Sequence, residues 1–347
     1  MGAGGKPMMV FEKPVCSVCI ANYNGMDYID ACIKSVIGQD FPFHVEIIIH
    51  DDASTDGSVE LIRHNYPQVK MIISKENVGF CISNNRMAEQ ARGEYLLFLN
   101  NDTELFPDAL KSLYYEAQEG PSILSLPQYN AATGEIIDRG EKFDPFLNPV
   151  PNLDEKVTEV GMVIGACLWI PKRLWDELRG FPEWFGSIAE DMYLCMRAHL
   201  KGYPVSVINN SGFRHWVGAS FGGGKILKGQ LITTARRRSL SERNKTFVMI
   251  MCLPFPYFQI IFPLHILMLL AEGITISILK GNIFILKNIY ISTLLALWRE
   301  RKKLRFDRHQ NQNNAQINLK SFLSMFTIMP YKIKMIKKYG LPKIYTV

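Results

Sequence analysis

The sequence lacks several features that would place it in a familiar class. Its seven cysteines are dispersed, and Cys16 and Cys19 have no second pair or histidine set at zinc-binding spacing. Such a count favours reduced thiols in a cytosolic compartment over a disulfide framework. Residues 1–13 contain no apolar run typical of a secretory signal, and no GxGxxG pattern follows the first strand-like segment. These absences argue against a zinc finger, a disulfide-rich secreted protein and a nicotinamide or flavin enzyme.

Acidic residues are scarce in the last third of the chain. From Ala235 to Val347 there are 19 lysines and arginines against 4 aspartates and glutamates, a net charge of +15, whereas the preceding residues carry −9. The whole chain has 347 residues, of which 48% are hydrophobic, so it can bury a sizeable core. The composition predicts a soluble domain followed by a basic region that binds an anionic surface.

The first third of the chain alternates between strand-like and helix-like segments. The predicted strands are Val15–Ala21, Val45–His50, Val69–Ser74 and Glu94–Leu99. The predicted helices are Tyr28–Ile37, Ser58–Asn65 and Ser83–Ala91. This alternation predicts an α/β fold, with a mostly parallel sheet and helices on both of its faces.

Polar residues follow two of these predicted strands. Asp51 and Asp52 come directly after the second strand, and Asn100, Asn101 and Asp102 come after the fourth. In parallel sheets, ligands bind beyond the carboxyl ends of the strands. Carboxylates and amides there can hydrogen-bond a base or ribose, or offer oxygen ligands to Mg²⁺ or Mn²⁺. For the acidic stretch after the second strand, a capped turn without any ligand is the alternative.

Six segments, in order, resemble motifs of the family 2 inverting glycosyltransferases, which have a GT-A fold. They are Ser17–Asn24, Glu46–Ser58 (EIIIHDDASTDGS), Asn77–Asn85 (NVGFCISNN), Ala91–Thr103 (ARGEYLLFLNNDT), Gly165–Lys172 (GACLWIPK) and Glu190–Tyr203 (EDMYLCMRAHLKGY). Within that family the chain is most similar to bacterial rhamnosyltransferase-like enzymes of cell-surface polysaccharide synthesis. The resemblance implies sugar transfer, with inversion, from a nucleotide-diphosphate sugar to a glycan or lipid-linked acceptor.

The resemblance also implies roles for particular residues. Asp191 would be the catalytic base, and Glu190 would orient the acceptor or the base; the alternative is that both merely favour a helix start. The donor-binding residues would be Asn22, Asp51, Asp52, Asn77, Asn85, Asn101 and Asp102. Whether Asp51 or Asp52 holds the nucleotide base stays open, and turn capping is the alternative for Asn77 and Asn85.

The metal motif of the family, Asp-x-Asp, reads Asn100-Asn101-Asp102 in this chain. Asp102 would therefore contact Mg²⁺ or Mn²⁺, while Asn100 could contribute only a neutral oxygen. His215 would be a further metal ligand that partly compensates for the missing carboxylate, although a structural histidine is the alternative. The glycine-rich segment Gly218–Gly224 is expected to be a lid over the donor or a linker.

The basic region contains a long apolar stretch. Phe247–Leu270 has 24 residues without a formal charge, enough to cross a bilayer as a helix, although three prolines interrupt it. A second apolar stretch, Ile274–Trp298, follows, and basic residues flank the pair on both sides. Both ends are therefore expected at the cytoplasmic face of the cell membrane, which favours a hairpin or two interfacial helices. Lys332, Lys334, Lys337 and Lys338 are expected to contact anionic lipid headgroups rather than nucleic acid.

The predicted organisation is an N-terminal tail (1–13), a GT-A domain (14–225) and a C-terminal helical membrane-association region (226–347). Two other functions stay open. A nucleotidyltransferase that forms sugar nucleotides should carry a glycine-rich, basic phosphate loop after the first strand, and Asn22–Gly25 lacks one. A non-catalytic, membrane-bound sugar-nucleotide binder would bind the donor without turning it over.

Overall fold

The computed structural model describes residues 13–216, 225–227, 229–313, 315–317 and 319–345. The expected N-terminal tail, except Lys13, and the segment Gly218–Gly224 lie outside these residues. The strands are β1 (Cys16–Asn22), β2 (Val45–Asp51), β3 (Lys70–Ile73), β4 (Tyr95–Asn100), β5 (Thr103–Leu105), β6 (Ile123–Ser125), β7 (Gln128–Asn130), β8 (Ile136–Asp138), β9 (Glu141–Phe143), β10 (Pro149–Pro151), β11 (Cys167–Pro171), β12 (Val205–Val207), β13 (Phe213–His215), β14 (Lys225–Leu227), β15 (Gln230–Thr234) and β16 (Lys343–Tyr345). The helices are α1 (Ile29–Ile37), α2 (Ser58–Asn65), α3 (Phe80–Gln90), α4 (Ala109–Glu116), α5 (Lys172–Leu178), α6 (Glu190–Leu200), α7 (Ala235–Cys252), α8 (Tyr257–Lys280), α9 (Ile283–Ile285), α10 (Ser292–Arg299), α11 (Arg301–Asn313), α12 (Leu319–Ser324) and α13 (Tyr331–Tyr339).

A seven-stranded sheet in the order β12-β6-β11-β4-β1-β2-β3 forms the centre of the fold. β11 runs antiparallel to both of its neighbours, while the other pairings in the sheet are parallel. The carboxyl ends of β1, β2 and β4 therefore meet at one edge, and their register places Asn22 beside Asp51 and Ala21 beside Asn100. The mostly parallel α/β sheet agrees with the prediction.

Two hydrophobic cores lie on the two faces of this sheet, because successive side chains of a strand point in opposite directions. One core packs β-strand residues such as Ile20 and Leu97 against α1, α2 and α4. The other packs residues such as Cys19 and Phe98 against α3, α5, α6 and α7. All seven cysteines are free and buried.

The predicted elements of the first third all occur, with boundaries that differ by at most three residues. The largest shift is in α3, which begins at Phe80 rather than at Ser83. Asp52 accepts hydrogen bonds from the backbone N–H groups of Val78 and Gly79, at 2.6 and 2.9 Å, and Gly79 has a φ of 91°. This contact fixes the turn before α3 and allows the helix to begin immediately after Gly79.

A smaller four-stranded sheet, in the order β5-β13-β7-β8, brings distant parts of the chain to the same edge. His215 pairs with Thr103 of β5 on one side and with Asn130 of β7 on the other. Trp216 also donates a backbone hydrogen bond to the carbonyl of Asp102 at 3.0 Å. This sheet therefore holds His215 next to Asp102.

The predicted apolar span Phe247–Leu270 is not a single helix. Its first part belongs to α7, which ends at Cys252 before Pro254 and Pro256, and its second part begins α8 at Tyr257. Phe247 and Cys252 are fully buried in the core that covers the sheet. Complete burial of an apolar side chain contributes about 1.5–3 kcal/mol, so this part of α7 is an integral part of the core that covers the sheet. The boundary predicted at residue 225 stays a prediction, although α7 shares that core.

Lys332, one of the lysines expected at a lipid surface, instead belongs to an ion cluster around the buried Glu242 and Lys245. We call it the buried ion cluster and define it as Arg238, Glu242, Lys245, Glu272 and Lys332. Glu242 of α7 lies 2.9 Å from Lys245 and also binds Lys332 of α13. Glu272 of α8 binds Arg238 and lies 2.8 Å from Lys332. The cluster ties α7, α8 and α13 together, so the expectation that Lys332 contacts lipid headgroups does not hold in this structure.

By length and composition alone, α8 is the one helix among the described residues that could cross a membrane. One side of α8 packs on the protein through Leu269, Gly273 and Ile276. A side chain at Gly273 would meet the Tyr290 ring at 2.6 Å, so the close approach requires glycine. The opposite side is exposed and apolar, as Leu267 (64%) and Ile278 (73%) show.

Candidate active site

A cavity of about 1420 Å³ lies beyond the carboxyl ends of β1, β2 and β4. Its walls come from the strand-end loops, the segment that precedes α6 and the beginning of α7. Among the residues singled out from the sequence, the following line it: Asn22, Asp52, Asn77, Asn100, Asn101, Asp102, Glu190, Asp191 and His215. The structure therefore brings the carboxylates of three separate chain segments to one cavity.

Asp51 and Asp52 point to different places. Asp51 lines a separate cavity of about 290 Å³, accepts a hydrogen bond from the Ser54 backbone at 2.9 Å, and accepts another from Asn22 at 2.9 Å. Asp52 faces the large cavity and holds the turn at Val78 and Gly79. Of the two, only Asp52 is placed to contact a ligand in the large cavity directly.

The asparagines predicted to bind the donor fall into two groups, those at the cavity and one away from it. Asn22 donates to Asp51 and accepts a hydrogen bond from Asn101 at 2.9 Å, so these two amides buttress the strand ends. Asn77 lines the cavity, whereas Asn85 does not. The Asn85 amide is instead bonded to the backbone N–H and carbonyl of Phe181, at 3.0 and 2.9 Å. The structure thus gives Asn85 a turn-bracing position instead of a place beside a donor.

Asp102 and His215 lie together at the cavity wall. Nε2 of His215 is 3.2 Å from Oδ1 of Asp102, and Nδ1 of His215 is 3.0 Å from the side-chain amide of Gln128. The Oε1 atom of Gln128 is buried and has no hydrogen-bond partner among the described residues. Amide oxygen and nitrogen are interchangeable in shape, so Oε1 can instead accept a hydrogen bond from Nδ1–H. In that arrangement Nε2 faces Asp102, and either a proton or a metal cation between the two would satisfy both groups.

This pair fits a divalent cation that is shared with a diphosphate. Adjacent ligands of an octahedral Mg²⁺ with bonds of about 2.1 Å lie about 3 Å apart, close to the 3.2 Å between Asp102 and His215. Within the described part of the chain, no group of three or more histidine, cysteine or acidic side chains could hold a metal alone. Phosphate oxygens and water would have to complete the coordination, as is usual for Mg²⁺ in phosphate-binding sites.

Glu190 and Asp191 begin α6 behind a strained turn. Ile188 and Ala189 have φ values of 71° and 67°, in the left-handed region that costs a residue with a side chain about 1–3 kcal/mol. The turn aims both carboxylates at the cavity. Oδ2 of Asp191 accepts a hydrogen bond from the Gly165 backbone at 3.1 Å, and Oδ1 accepts one from Met192 at 2.7 Å.

The electrostatics of this pair suit proton transfer. Burial, followed by repulsion from Asp191, raises the pKa of Glu190 to about 8, so Glu190 is largely protonated at neutral pH. Oε2 of Glu190 has no hydrogen-bond partner among the described residues. Burial also raises the pKa of Asp191, and its backbone hydrogen bonds oppose that rise. A protonated Glu190 beside an ionised Asp191 can donate a hydrogen bond while Asp191 accepts a proton.

Sequence reasoning missed three residues around the cavity. Arg237, which in the sequence is only part of a basic flank, lines the cavity from the first turn of α7. There its guanidinium interacts electrostatically with the carboxylates of Glu190 and Asp191. Asn244 lies further along α7 and contacts the turn before α6. No sequence pattern indicates that Gln128 lies near the site, because nothing around β7 predicts that this strand pairs with β13. The three arginines at 236–238 were the visible signal for Arg237.

The sequence profile and the known proteins that match this chain are described as glycosyltransferases. The profile described as Glycosyl transferase family 2 matches residues 17–179. The chain is 29% identical over 197 residues to the poly(ribitol-phosphate) beta-glucosyltransferase of Bacillus spizizenii, which covers 55% of this chain and 30% of that protein. It is 27% identical over 215 residues to the cholesterol galactosyltransferase of Borreliella burgdorferi, covering 58% and 60%. The chain thus spans less than two thirds of the length of these curated relatives.

Solved structures agree on the fold. Residues 1–349 of Staphylococcus aureus TarS, in complex with UDP-GlcNAc, superpose with a TM-score of 0.55 at 18% identity, covering 86% of this chain and 88% of that one. A mannosyltransferase of Pyrobaculum calidifontis, in complex with GDP-Man and Mn²⁺, gives a TM-score of 0.52 at 15% identity, covering 84% and 76%. These likenesses support a GT-A-like α/β fold. The match to the Glycosyl transferase family 2 profile covers residues 17–179, slightly less than half of this chain.

Proposed function

We propose that this protein transfers a sugar, with inversion, from a nucleotide-diphosphate sugar to a glycan or lipid-linked acceptor in cell-surface polysaccharide synthesis. One observation carries the proposal: a single cavity collects Asp52, Asp102, Glu190 and Asp191. The match of residues 17–179 to the Glycosyl transferase family 2 profile supports the reaction class. The poly(ribitol-phosphate) relative supports an acceptor of the cell surface, and the UDP-GlcNAc complex of TarS supports a nucleotide-sugar donor.

In the proposed reaction, an acceptor hydroxyl attacks the anomeric carbon from the face opposite the nucleotide. A new carbon–oxygen bond forms while the bond from the anomeric carbon to the diphosphate breaks, and the nucleotide diphosphate leaves with the electron pair. Asp191 accepts the hydroxyl proton, because its raised pKa makes it a better base than an ordinary aspartate. Glu190, protonated near neutral pH, donates a hydrogen bond that orients the acceptor or the base.

The leaving diphosphate needs positive charge. Asp102 and His215, with a neutral oxygen from Asn100, would hold Mg²⁺ or Mn²⁺, which neutralises diphosphate charge when bound. Arg237 adds a cationic side chain at the same cavity. Because Asn100 replaces a carboxylate, we expect a weakly held ion that depends on the diphosphate for its affinity.

Asp52 is the proposed contact for the nucleotide base and ribose, because it faces the large cavity and Asp51 does not. Asn77 belongs to the same side of the cavity. Asn22 and Asn101 would support this wall through their shared hydrogen bond. Asp51 would act through Asn22 and the Ser54 turn, and so only indirectly.

A panel of nucleotide sugars tests the proposal. UDP-hexoses, UDP-N-acetylhexosamines, GDP-mannose and dTDP-rhamnose are added to the purified full chain with Mn²⁺, and thermal stabilisation selects the donor. Release of nucleotide diphosphate from that donor is then measured with and without candidate acceptors. Turnover of a nucleotide sugar supports the proposal. Binding without turnover would indicate a non-catalytic binder, and pyrophosphate release from a nucleoside triphosphate and sugar phosphate would indicate a nucleotidyltransferase.

For the location of the protein, we propose the cytoplasmic face of the cell membrane, with α8 lying in the interface. Ile283 and Trp298, which follow α8 in the chain, are also exposed and apolar, and the basic residues Lys280 and Arg299 near them in sequence are exposed. Apolar surface edged by positive charge favours an anionic bilayer. Glu272 on α8 is engaged in the buried ion cluster, so crossing the bilayer would require α8 to break those ion pairs. This favours an interfacial helix over a transmembrane hairpin.

A further inference from the structure

The turn before α6 is not held by its own sequence. It runs through Gly186–Ala189 between a short 3₁₀ turn at Glu183–Phe185 and the first residue of α6. Ile188 is β-branched, and residues of that type rarely adopt the left-handed backbone that it shows here. Contacts from another part of the fold must therefore keep this turn in place.

Asn244 of α7 makes those contacts. Its side chain is fully buried, and Nδ2 lies 2.8 Å from the carbonyl oxygen of Ile188 and 2.9 Å from that of Ser187. The carbonyl of Phe185 lies 3.2 Å from the same nitrogen. Oδ1 of Asn244 accepts a hydrogen bond from Nε of Arg243 at 2.8 Å. Carbonyl oxygens only accept and a guanidinium only donates, so all four contacts assign the same orientation to the amide.

We propose that Asn244 is a positioning residue for Glu190 and Asp191, so that a helix from the C-terminal basic region is part of the catalytic apparatus. The inference rests on the proposed glycosyltransferase function, because it assigns a role within that reaction. The held carbonyl of Ile188 belongs to the residue two positions before Glu190. Fixing that carbonyl fixes the direction in which α6 begins and hence the aim of both carboxylates.

Arg243 has a supporting part in the same arrangement. Its Nη2 donates to the carbonyl of Phe185 at 2.9 Å while its Nε orients the Asn244 amide.

The titratable and charged groups that face Asp191 come from several elements: Glu190 and Cys195 of α6, Arg237 of α7, Glu141 of β9 and Cys81 of α3. A change at Asn244 leaves all of these groups in the chain and removes the contacts of its amide with the turn and with Arg243.

The test compares three variants of the full chain. Asn244→Leu keeps the side-chain volume but removes the donor, and Arg243→Ala is a milder change that removes the partner of the amide. Asn311→Leu is the matched control, because Asn311 is also a buried asparagine of the C-terminal helices, and its amide faces Met251 and Tyr193 rather than the turn. The measurements are UDP affinity, the rate of nucleotide diphosphate release from the donor that the panel selects, its pH profile, and hydrogen–deuterium exchange of residues 186–191.

For Asn244→Leu we expect about a tenfold or greater loss in kcat with UDP affinity within twofold of the wild type. Exchange of residues 186–191 should be faster, and the pH midpoint of the rate should fall, because water reaching Asp191 relaxes its raised pKa. Arg243→Ala should change the same quantities less, and Asn311→Leu should change none of them.

A lower rate with an unchanged pH midpoint and unchanged exchange of residues 186–191 would overturn the inference, because general destabilisation would explain it. If Asn244→Leu does not fold, Arg243→Ala decides by the same measurements. Failure of the wild type to turn over any nucleotide sugar would overturn the proposed function instead. In that case exchange of residues 186–191 in the variants still shows whether Asn244 holds the turn.

Discussion

The backbone N–H of Gly165 donates a hydrogen bond to Oδ2 of Asp191 over 3.1 Å. Gly165, two positions before β11, thereby holds the side chain of the proposed base. We expect Asp191→Asn to keep this contact through its amide oxygen but to lose proton acceptance. Transfer should fall by about 10²–10⁴-fold, the usual contribution of a general base, while UDP affinity stays within twofold.

The matched control for this variant is Asp176→Asn, which changes an exposed aspartate that pairs with Lys172 on α5. Its transfer rate should equal that of the wild type. Initial rates of nucleotide diphosphate release and titration calorimetry with UDP measure the two quantities. A fully active Asp191→Asn enzyme would refute the assignment of the base.

Asp102 should dominate the dependence of donor binding on a cation. We expect Asp102→Ala to weaken UDP binding in the presence of Mn²⁺ by at least about tenfold and to change little without Mn²⁺. Asn100→Asp should have the opposite effect, because it restores a second carboxylate at the cavity wall. Calorimetry with and without Mn²⁺ measures both, with Asp40→Ala, an exposed carboxylate, as the control. Equal UDP affinity of the Asp102 variant and the wild type in Mn²⁺ would rule out the role.

Gln128 should set which nitrogen of His215 is free to bind a cation. Gln128→Leu removes the partner of Nδ1, so we expect Mn²⁺ affinity in the presence of UDP to fall by about 10–100-fold. Gln128→Glu can only accept from Nδ1–H, whichever of its two oxygens faces the ring, and it should preserve that affinity. Gln118→Leu, which removes an amide bonded to Tyr95 far from His215, is the control. If Gln128→Leu binds Mn²⁺ normally, His215 does not act through Nε2.

The stability of the protein should depend on pH through Glu190. Its pKa is raised in the folded state to about 8, from an ordinary 4.5, so folding is favoured by this group below pH 4.5 and loses that advantage as pH rises through 8. The loss amounts to at most about 1.4 kcal/mol per pH unit within that window. Glu190→Gln removes the titration and should gain stability relative to the wild type as pH rises from 5 to 9. Urea unfolding at several pH values measures the difference, and parallel curves for both proteins would contradict the assignment.

Membrane binding should depend on the exposed side of α8. We expect Leu267→Glu and Ile278→Glu to abolish flotation with vesicles that contain anionic lipid, because each places a charge on the apolar surface. Leu153→Glu is the control, since Leu153 is an equally exposed leucine (60%) that follows β10 and is not part of α8. Full recovery of the wild type in the unbound fraction would contradict the proposed location.

The sheet and the acidic cavity could be predicted because their signals are local. Continuous apolar runs such as Val45–His50 mark buried strands, and parallel strands put their polar ends at one edge. The start of α6 at Glu190 was visible for the same reason. The choice between Asp51 and Asp52 was not, because adjacent residues at a strand end point in opposite directions and only the register with Asn22 separates them.

The parts that escaped prediction depend on contacts between distant segments. Gln128 and His215 lie 87 positions apart and meet only because β7 pairs with β13. Phe247 looks like a membrane residue by composition, since burial in a protein core and in a bilayer select the same side chains. Lys332 looked like a lipid contact because its partners Glu242 and Glu272 are far away in sequence.

The buried ion cluster limits how this protein can be recombined with its relatives. Lys245 bonds Glu242 within α7 and also Asn148, which lines the cavity, at 2.7 Å. Consider a chimera that takes its last hundred or so residues from a relative. Different side chains would then face Asn148, and charged groups would be left unpaired in the interior, which costs several kcal/mol per charge. An exchange of acceptor specificity with a relative should therefore succeed only when loop 144–148, α7, α8 and α13 are replaced together.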